Sequence, residues 1–191
     1  MFPTGEELRR GIAAVIPLLT FKDSGLVLLS DDRAAAWRSF SVATLALPVY
    51  LIIVLDRQRE LPLEPLGLHF FSVWLLAYAL RWTLLPLALI EFARSKPMGA
   101  RLPRFITAYN WLVLVLVHID FIIVMLPPVL SNMLRVFFLF YVIAVKIYLA
   151  KRCLDIGTLG AIILPLAAFF VNRIIESVAF NLTFLEPALP T

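Results

Sequence analysis

A small set of charged and amide side chains lies within long apolar runs, where an unpaired charge is costly. Asp120 stands in one run, and Asn172, Arg173 and Glu176 stand together in another near the C-terminus. Acidic and basic groups in such surroundings either pair between helices or take part in the movement of protons and ions. These four residues therefore offer two chemistries, an ion-pair clamp and a charged transport site.

The depth of each group within its helix decides which groups can meet. Asp120 is predicted about 10 Å from the end of its helix, and Arg173 about 12 Å from the same-side end of its own helix, at about 1.5 Å per residue. Glu176 follows Arg173 by one turn on nearly the same face. We therefore expect an Asp120–Arg173 ion pair with Glu176 and Asn172 beside it.

Four other polar residues interrupt the apolar runs, namely Arg81, Asn110, His118 and Lys146. The long side chain of Arg81 can extend across the gap toward Asn110 on the next helix, and Lys146 is expected to reach the membrane interface. His118 is expected to be a buried hydrogen-bonding residue, because His69 lies at another depth and cannot join it on a haem. Catalytic, metal and cofactor motifs are absent from the sequence, so an enzyme is not expected.

The amino-acid composition indicates the class of fold that positions these residues. Of the 191 residues, 62% are hydrophobic and 16% are charged, whereas an ordinary soluble domain is about 45–50% apolar and about 25% charged. Several apolar runs approach the roughly 20 residues that cross a bilayer. This composition excludes an ordinary soluble domain and predicts an all-α polytopic membrane helix bundle.

Five transmembrane helices are predicted. The second contains Arg81, but this one charge does not exclude it as a span. Its insertion cost of about 2.5–3.5 kcal/mol is offset by the apolar residues around it. The predicted organisation is an N-terminal segment 1–36, a transmembrane domain 37–181 and an outer tail 182–191. The predicted spans are 37–55, 67–92, 105–126, 130–150 and 156–180.

The N-terminal segment carries the pattern of an amphipathic interfacial helix over residues 5–19. Thr4 and Glu7 have the spacing of a capping box that opens a helix. Leu8, Ile12, Val15, Ile16 and Leu19 then recur on one face. Because Pro17 bends or ends a helix and the apolar stripe is narrow, we expect this helix to lie on the membrane surface or against the bundle.

The distribution of Lys and Arg predicts orientation. Eleven of the 17 lie on the side of the N-terminus and three, Arg57, Arg59 and Arg135, on the other side, with the remainder inside spans. Positive charge is enriched on the cytoplasmic side of membrane proteins. The count predicts a cytoplasmic N-terminus and a C-terminus on the opposite side.

The chain resembles the Yip1-like family of five-span membrane proteins, in its uncharacterised bacterial branch. The resemblance rests on Phe21-Lys22-Asp23-Ser24-Gly25, on Asp31 to Phe40, on Phe105-Ile106-Thr107-Ala108-Tyr109-Asn110-Trp111 and on Tyr148 to Gly160. It implies a five-span protein of the bacterial inner membrane, with a cytoplasmic N-terminus and a periplasmic C-terminus. Eukaryotic members associate with small GTPases and are expected to have a long cytosolic N-terminal region, but this region is reduced here to about 36 residues, which puts GTPase binding in doubt.

The expected function is a non-enzymatic membrane scaffold or interaction protein, with a role in membrane organisation. Its expected partners are the lipid bilayer and other membrane proteins or further copies of itself, and not nucleic acid. Two alternatives stay open: an accessory subunit of a larger membrane complex, and a small transporter or channel that uses the intramembrane charges.

Overall fold

The computed structural model describes residues 3–57, 67–93 and 101–184, and these described residues form helices and no strand. Five helical stretches are long and apolar enough to cross a membrane, which confirms the all-α five-span fold. The helices are α1 (Gly5–Leu19), α2 (Ser24–Val27), α3 (Arg33–Ser39), α4 (Val42–Arg57), α5 (Leu68–Ala93), α6 (Leu102–Val124), α7 (Pro128–Leu154) and α8 (Thr158–Phe184).

The first span is made of two helices rather than one. This apolar helical stretch runs over Arg33–Asp56 and includes both α3 and α4. Asp32 caps α3 by accepting a hydrogen bond from the Ala34 amide at 3.1 Å, which fixes the start of the stretch. The predicted tail falls largely on residues 185–191, outside the described residues, as do Arg59 and most of the loop between the second and third spans.

The α1 helix begins at the predicted capping box. Glu7 N–H donates to Thr4 Oγ1 at 3.2 Å, and Thr4 N–H donates to Glu7 Oε2 at 3.0 Å. Pro17 lies inside the helix, which continues to Leu19. The buried face of α1 packs against α6, as the second of the two predicted placements requires.

We call the end of the bundle at which α6 begins and α7 ends the basal end, and the opposite end the distal end. Ion pairs link the helices at the basal end: Arg104 with Asp31, and Arg101 with Asp155. At the distal end, His69 Nε2 lies 3.1 Å from the carbonyl oxygen of Leu182. These contacts fix the ends of helices that are distant in sequence.

Polar side chains join α1 and α3 to α6 near the basal end. Asn110 Nδ2 donates to Ser39 Oγ at 2.8 Å, and both residues are buried. Arg38 Nε donates to Glu7 Oε1 at 2.7 Å. We call these four residues the basal joint. Gly11 packs so closely on Trp111 that an added Cβ would overlap the indole ring.

Candidate functional site

Glu176 on α8 lies between two arginines. Arg81 Nη1 on α5 donates to one of its carboxylate oxygens, Oε1, and Arg173 Nη1 on α8 donates to Oε2 at 2.8 Å. The side chains of Glu176, Arg81 and Arg173 are 15%, 29% and 62% exposed, respectively. Because α5 packs on α8, the carboxylate is held between a sheltered arginine and an exposed one.

Aromatic residues hold Arg81 from its other side. The guanidinium carbon of Arg81 lies 5.4 Å from the ring centroid of Tyr50 on α4, and the Tyr50 and Tyr78 rings are 4.8 Å apart. Tyr78 in turn donates its hydroxyl to the Ala43 carbonyl. Cation–π contacts of this kind favour a cation in an otherwise apolar place, so α4 and α5 together position the arginine.

A cavity of about 550 Å³ opens beside this group, and all five spans contribute to its wall. Its aromatic and aliphatic lining includes Tyr50 from α4, Trp82 from α5, Val117 from α6, Phe138 from α7 and Phe169 from α8. The volume lies in the range of about 300–1,000 Å³ that is typical of small-molecule sites. We call this space the central cavity.

The charged lining of this central cavity carries more positive than negative groups. It consists of four basic and two acidic side chains: Arg81, Arg135, Lys146, Arg173, Asp120 and Glu176. Four positive charges less two negative charges leave a formal excess of two positive charges. A cavity with this balance and apolar walls favours an anionic ligand.

A second cavity of about 340 Å³ continues toward the distal end, where Ile53, Trp74 and Phe180 line it. The two cavities share six residues: Tyr50, Arg81, Val117, Asp120, Arg173 and Glu176. We call the four charged members of this set, Arg81, Asp120, Arg173 and Glu176, the charged collar. The collar lies where the two cavities meet.

The structure brings the predicted cluster to this place. Asp120 and Arg173 both border the two cavities, Glu176 binds Arg173, and Asn172 lines the central cavity. Direct pairing of Asp120 with Arg173 stays a prediction. The cluster is larger than the sequence suggests, because Arg81 belongs to it through Glu176 rather than extending toward Asn110.

The other predicted residues fall in separate places. Lys146 lines the central cavity with its Nζ 5.3 Å from the Tyr109 ring centroid, so it points inward rather than to the membrane interface. Asn110 belongs to the basal joint. His118 is exposed on α6, and its Nδ1 lies 2.7 Å from the Leu114 carbonyl oxygen. His118 therefore makes an expected hydrogen bond but is not buried among the described residues.

Arg135 is the cavity residue that the sequence reasoning misses. Its position falls inside the predicted span 130–150, but the charge count assigns it to the distal side; in the structure it lies within α7 and lines the central cavity. Arg135 forms an ion pair with Asp56, at 4.0 Å between Nη2 and Oδ2, and its Nε and Nη2 atoms are buried without a hydrogen-bond partner among the described residues. The signal available in the sequence was its position inside the predicted fourth span.

Comparison with protein-family models, with curated proteins and with solved structures finds no match. The Yip1-like resemblance therefore receives no support from these comparisons. Within the described ranges, no group of three His, Cys, Asp or Glu side chains lies close enough together to hold a metal ion. The functional assignment therefore depends on the chemistry of the central cavity.

Proposed function

We propose that this protein is a non-enzymatic membrane carrier that takes up an anionic solute within its five-span bundle. The observation that carries the proposal is the central cavity, whose wall comes from all five spans and whose charged lining has two more basic than acidic groups. Charged residues inside a membrane domain are costly, and facing them into one cavity is the arrangement used by transport sites. Of the sequence-based alternatives, this geometry favours the transporter.

The position of the charged collar supports a path rather than a closed pocket. Arg81, Asp120, Arg173 and Glu176 border the central cavity on one side and the distal cavity on the other. Because the two basic and two acidic groups of the collar balance formally and Arg135 is paired with Asp56, Lys146 is the main source of positive charge in the cavity. An anion attracted by Lys146 meets the charge-balanced collar before the distal cavity.

Uptake into proteoliposomes tests the carrier function. The probes are radiolabelled methanesulfonate and octanesulfonate, which stay charged at all working pH values, with tetramethylammonium as the cationic probe. We expect at least one anion to enter faster than into protein-free vesicles and the cation to enter no faster. Lys146→Met should lower the anion uptake by about tenfold, since a charge-assisted contact is worth about 1.5–3 kcal/mol.

Lys151→Met is the matched control, because Lys151 lies on the same helix but is exposed and does not line the cavity. It should leave uptake unchanged. Uptake no faster than in empty vesicles would overturn the carrier proposal, and so would equal uptake by wild type and Lys146→Met.

A second function, the interaction protein expected from the sequence, is favoured by His118. This imidazole is exposed on a membrane-spanning helix, where a polar group facing lipid is costly and a partner helix would satisfy it. Because Nδ1 must donate to the Leu114 carbonyl, Nε2 of the neutral ring is left as an acceptor. Stable co-purification of one membrane protein with the wild type, and its loss in His118→Leu, would support the interaction function. Co-purification of that protein with His118→Leu would contradict it.

We also propose that the protein lies in a bacterial inner membrane with the basal end in the cytoplasm. The excess of Lys and Arg on that side supports this orientation. A reporter fused after Thr191 should behave as periplasmic, and one inserted at Gly99 as cytoplasmic. A cytoplasmic signal from the C-terminal fusion would contradict the orientation.

A further inference from the structure

Lys146 is a cation of the central cavity that lies well inside the membrane domain. It precedes Leu154, the last residue of α7, by eight residues, which places it about 12 Å from the basal end of that helix. Among the described residues, the ion pairs of this cavity involve its three arginines and not Lys146. A charge at such a depth is costly unless a nearby group offsets it, so a bound anion would complete the surroundings of this ammonium group.

Tyr109 holds the ammonium group from one side. The Nζ atom of Lys146 lies 5.3 Å from the Tyr109 ring centroid, and that ring stacks on Phe105 with 5.9 Å between the centroids. Tyr109 is 6% exposed, so the ring is a fixed surface. An ammonium group has three N–H donors, and both Lys146 and Tyr109 line the central cavity. An anion in the cavity can therefore accept from the donors that do not point at the ring.

The other charges that line the cavity balance one another. The charged collar holds two basic and two acidic groups, which cancel formally. Arg135 is paired with Asp56. Within the described part of the chain, Lys146 is thus left as a formal excess of one positive charge. This balance matches a ligand with one negative charge, because a second one would be buried without a partner.

The cavity wall next to Lys146 is apolar. The α7 part of this wall follows a helical stripe that covers about 12 Å from Lys146 to Phe138. The residues of the wall are Phe138, Leu139, Val142 and Ile143 from α7, Val113 and Val117 from α6, and Phe169 from α8. An inorganic anion on Lys146 would leave these side chains without an apolar partner. A ligand with an apolar body would cover them and gain the free energy of burial.

We propose that the central cavity binds an organic monoanion, with its single negative head on Lys146 and its apolar body against the wall formed by α6, α7 and α8. This assignment names the substrate class of the proposed carrier and so rests on that function. It ranks an organic monoanion above an inorganic anion and above an organic dianion of the same size.

Equilibrium binding to the full chain in lipid nanodiscs, corrected for binding to empty nanodiscs, tests the assignment on the wild type alone. Benzenesulfonate is the main probe. Methanesulfonate has the same head without the ring, 1,3-benzenedisulfonate adds a second charge, and phenyltrimethylammonium has the ring with the opposite charge. We expect benzenesulfonate to bind at least about tenfold more tightly than each of the other three, because only its ring and its charge are both matched.

Each comparison can overturn one part of the assignment. Methanesulfonate binding as tightly as benzenesulfonate would overturn the apolar body. Equal or tighter binding of the disulfonate would overturn the single charge, and equal or tighter binding of phenyltrimethylammonium would overturn the anionic head.

Two pairs of variants locate the head and the body. Lys146→Met should weaken benzenesulfonate binding by about tenfold or more, while Lys151→Met should bind as wild type. Phe169→Ala should weaken it by about tenfold through the lost apolar contact. Phe170→Ala is the matched control, because Phe170 is the next residue on α8, is 62% exposed and does not line the cavity.

Size-exclusion elution at the wild-type volume shows that each variant keeps its fold. Benzenesulfonate binding unchanged in Lys146→Met would overturn the position of the head. Equal binding by Phe169→Ala and Phe170→Ala would overturn the position of the body.

The failure of this assignment is distinguishable from the failure of the carrier proposal. Equal binding of methanesulfonate and benzenesulfonate, with uptake that still depends on Lys146, would overturn the organic monoanion and leave an anion carrier. Benzenesulfonate binding that depends on Lys146 and Phe169, without uptake of any sulfonate into proteoliposomes, would overturn the carrier and leave a membrane protein that binds organic anions.

Discussion

The charged collar and the basal joint both place polar side chains among apolar helices, and the collar also borders two cavities. In the basal joint, Asn110 is fully buried and its donor is satisfied by Ser39. In the collar, Glu176 holds two arginines at the meeting of two cavities. A polar residue in a span is thus a candidate site when it faces a cavity, and a joint when neighbouring helices surround it.

We expect substitutions in the charged collar to lower the stability of the fold by different amounts, with the largest loss at Glu176. Glu176→Leu leaves Arg81 without its carboxylate in a sheltered place, and removing one partner of a buried pair costs about 3–5 kcal/mol. Arg81→Met should cost less, because Glu176 keeps its bond to Arg173. The free energy of unfolding or the thermal midpoint in mild detergent measures both.

The double variant Arg81→Met with Glu176→Leu completes this test. It removes both charges from the sheltered pair, so it should recover much of the loss seen in Glu176→Leu. A larger loss from Arg81→Met than from Glu176→Leu would mean that a group other than Glu176 stabilises the arginine.

The next largest effect should come from the packing of α2 on α1. An added Cβ on Gly25 would overlap the backbone carbonyl of Ala14, and backbone cannot move aside as a side chain can. Gly25→Ala should therefore destabilise the protein by about 1–3 kcal/mol, as overpacking does. Gly5→Ala is the matched control, since nothing lies within 4 Å of a Cβ there. Equal stability of the two variants would show that α1 and α2 can separate without cost.

The number of spans could be predicted because it depends on local properties. Five apolar runs of sufficient length give five spans, and the spacing of Thr4 and Glu7 gives the start of α1. A local signal also marks the start of α3, because an aspartate can cap a helix and Asp32 does so before Arg33. Depth along a helix also follows from sequence, which is why Asp120 and Arg173 could be placed at one level.

Contacts between helices that are distant in sequence could not be predicted. The pairing of Arg81 with Glu176 depends on the packing of α5 on α8, and a single sequence does not show which spans are neighbours. The direction of the Lys146 side chain could not be predicted for the same reason. Its position in the sequence is compatible with the membrane interface or the cavity, and the rotation of α7 about its own axis determines which one it faces.

The Asp120–Arg173 pair should give a smaller effect than the buried pair of the collar. The Arg173 side chain is 62% exposed, and an exposed ion pair contributes about 0–1 kcal/mol, so Arg173→Met should lower stability by less than about 1 kcal/mol. Asp120→Asn, Arg173→Met and the double variant form a cycle whose coupling energy measures the contact. Additive losses would show that the two side chains do not touch.

The smallest expected effect is a pH dependence in the basal joint. The Thr4 backbone N–H, followed by the Arg38 guanidinium, lowers the pKa of Glu7 below its ordinary value of 4.5. A carboxyl whose pKa is lower in the folded state stabilises the fold above its unfolded pKa, and this contribution is lost as the pH falls through the folded value. Docking of α1 on α3 should therefore weaken as the pH falls below about 4.5.

Glu6 provides the internal comparison for that effect. Hydrogen bonds from Arg9 and Arg10 lower the pKa of Glu6 to about 2, but all three residues belong to α1, so its titration changes the helix without changing a contact to α3. Hydrogen exchange of residues 5–19 between pH 6 and pH 3 measures the docking. We expect Glu7→Gln to weaken the basal joint at every pH and so to remove most of the pH dependence of exchange. Glu6→Gln should leave that pH dependence unchanged. If Glu6→Gln removed the pH dependence and Glu7→Gln retained it, the titrating contact would lie within α1, and the link from Glu7 to Arg38 would not hold the helix on the bundle.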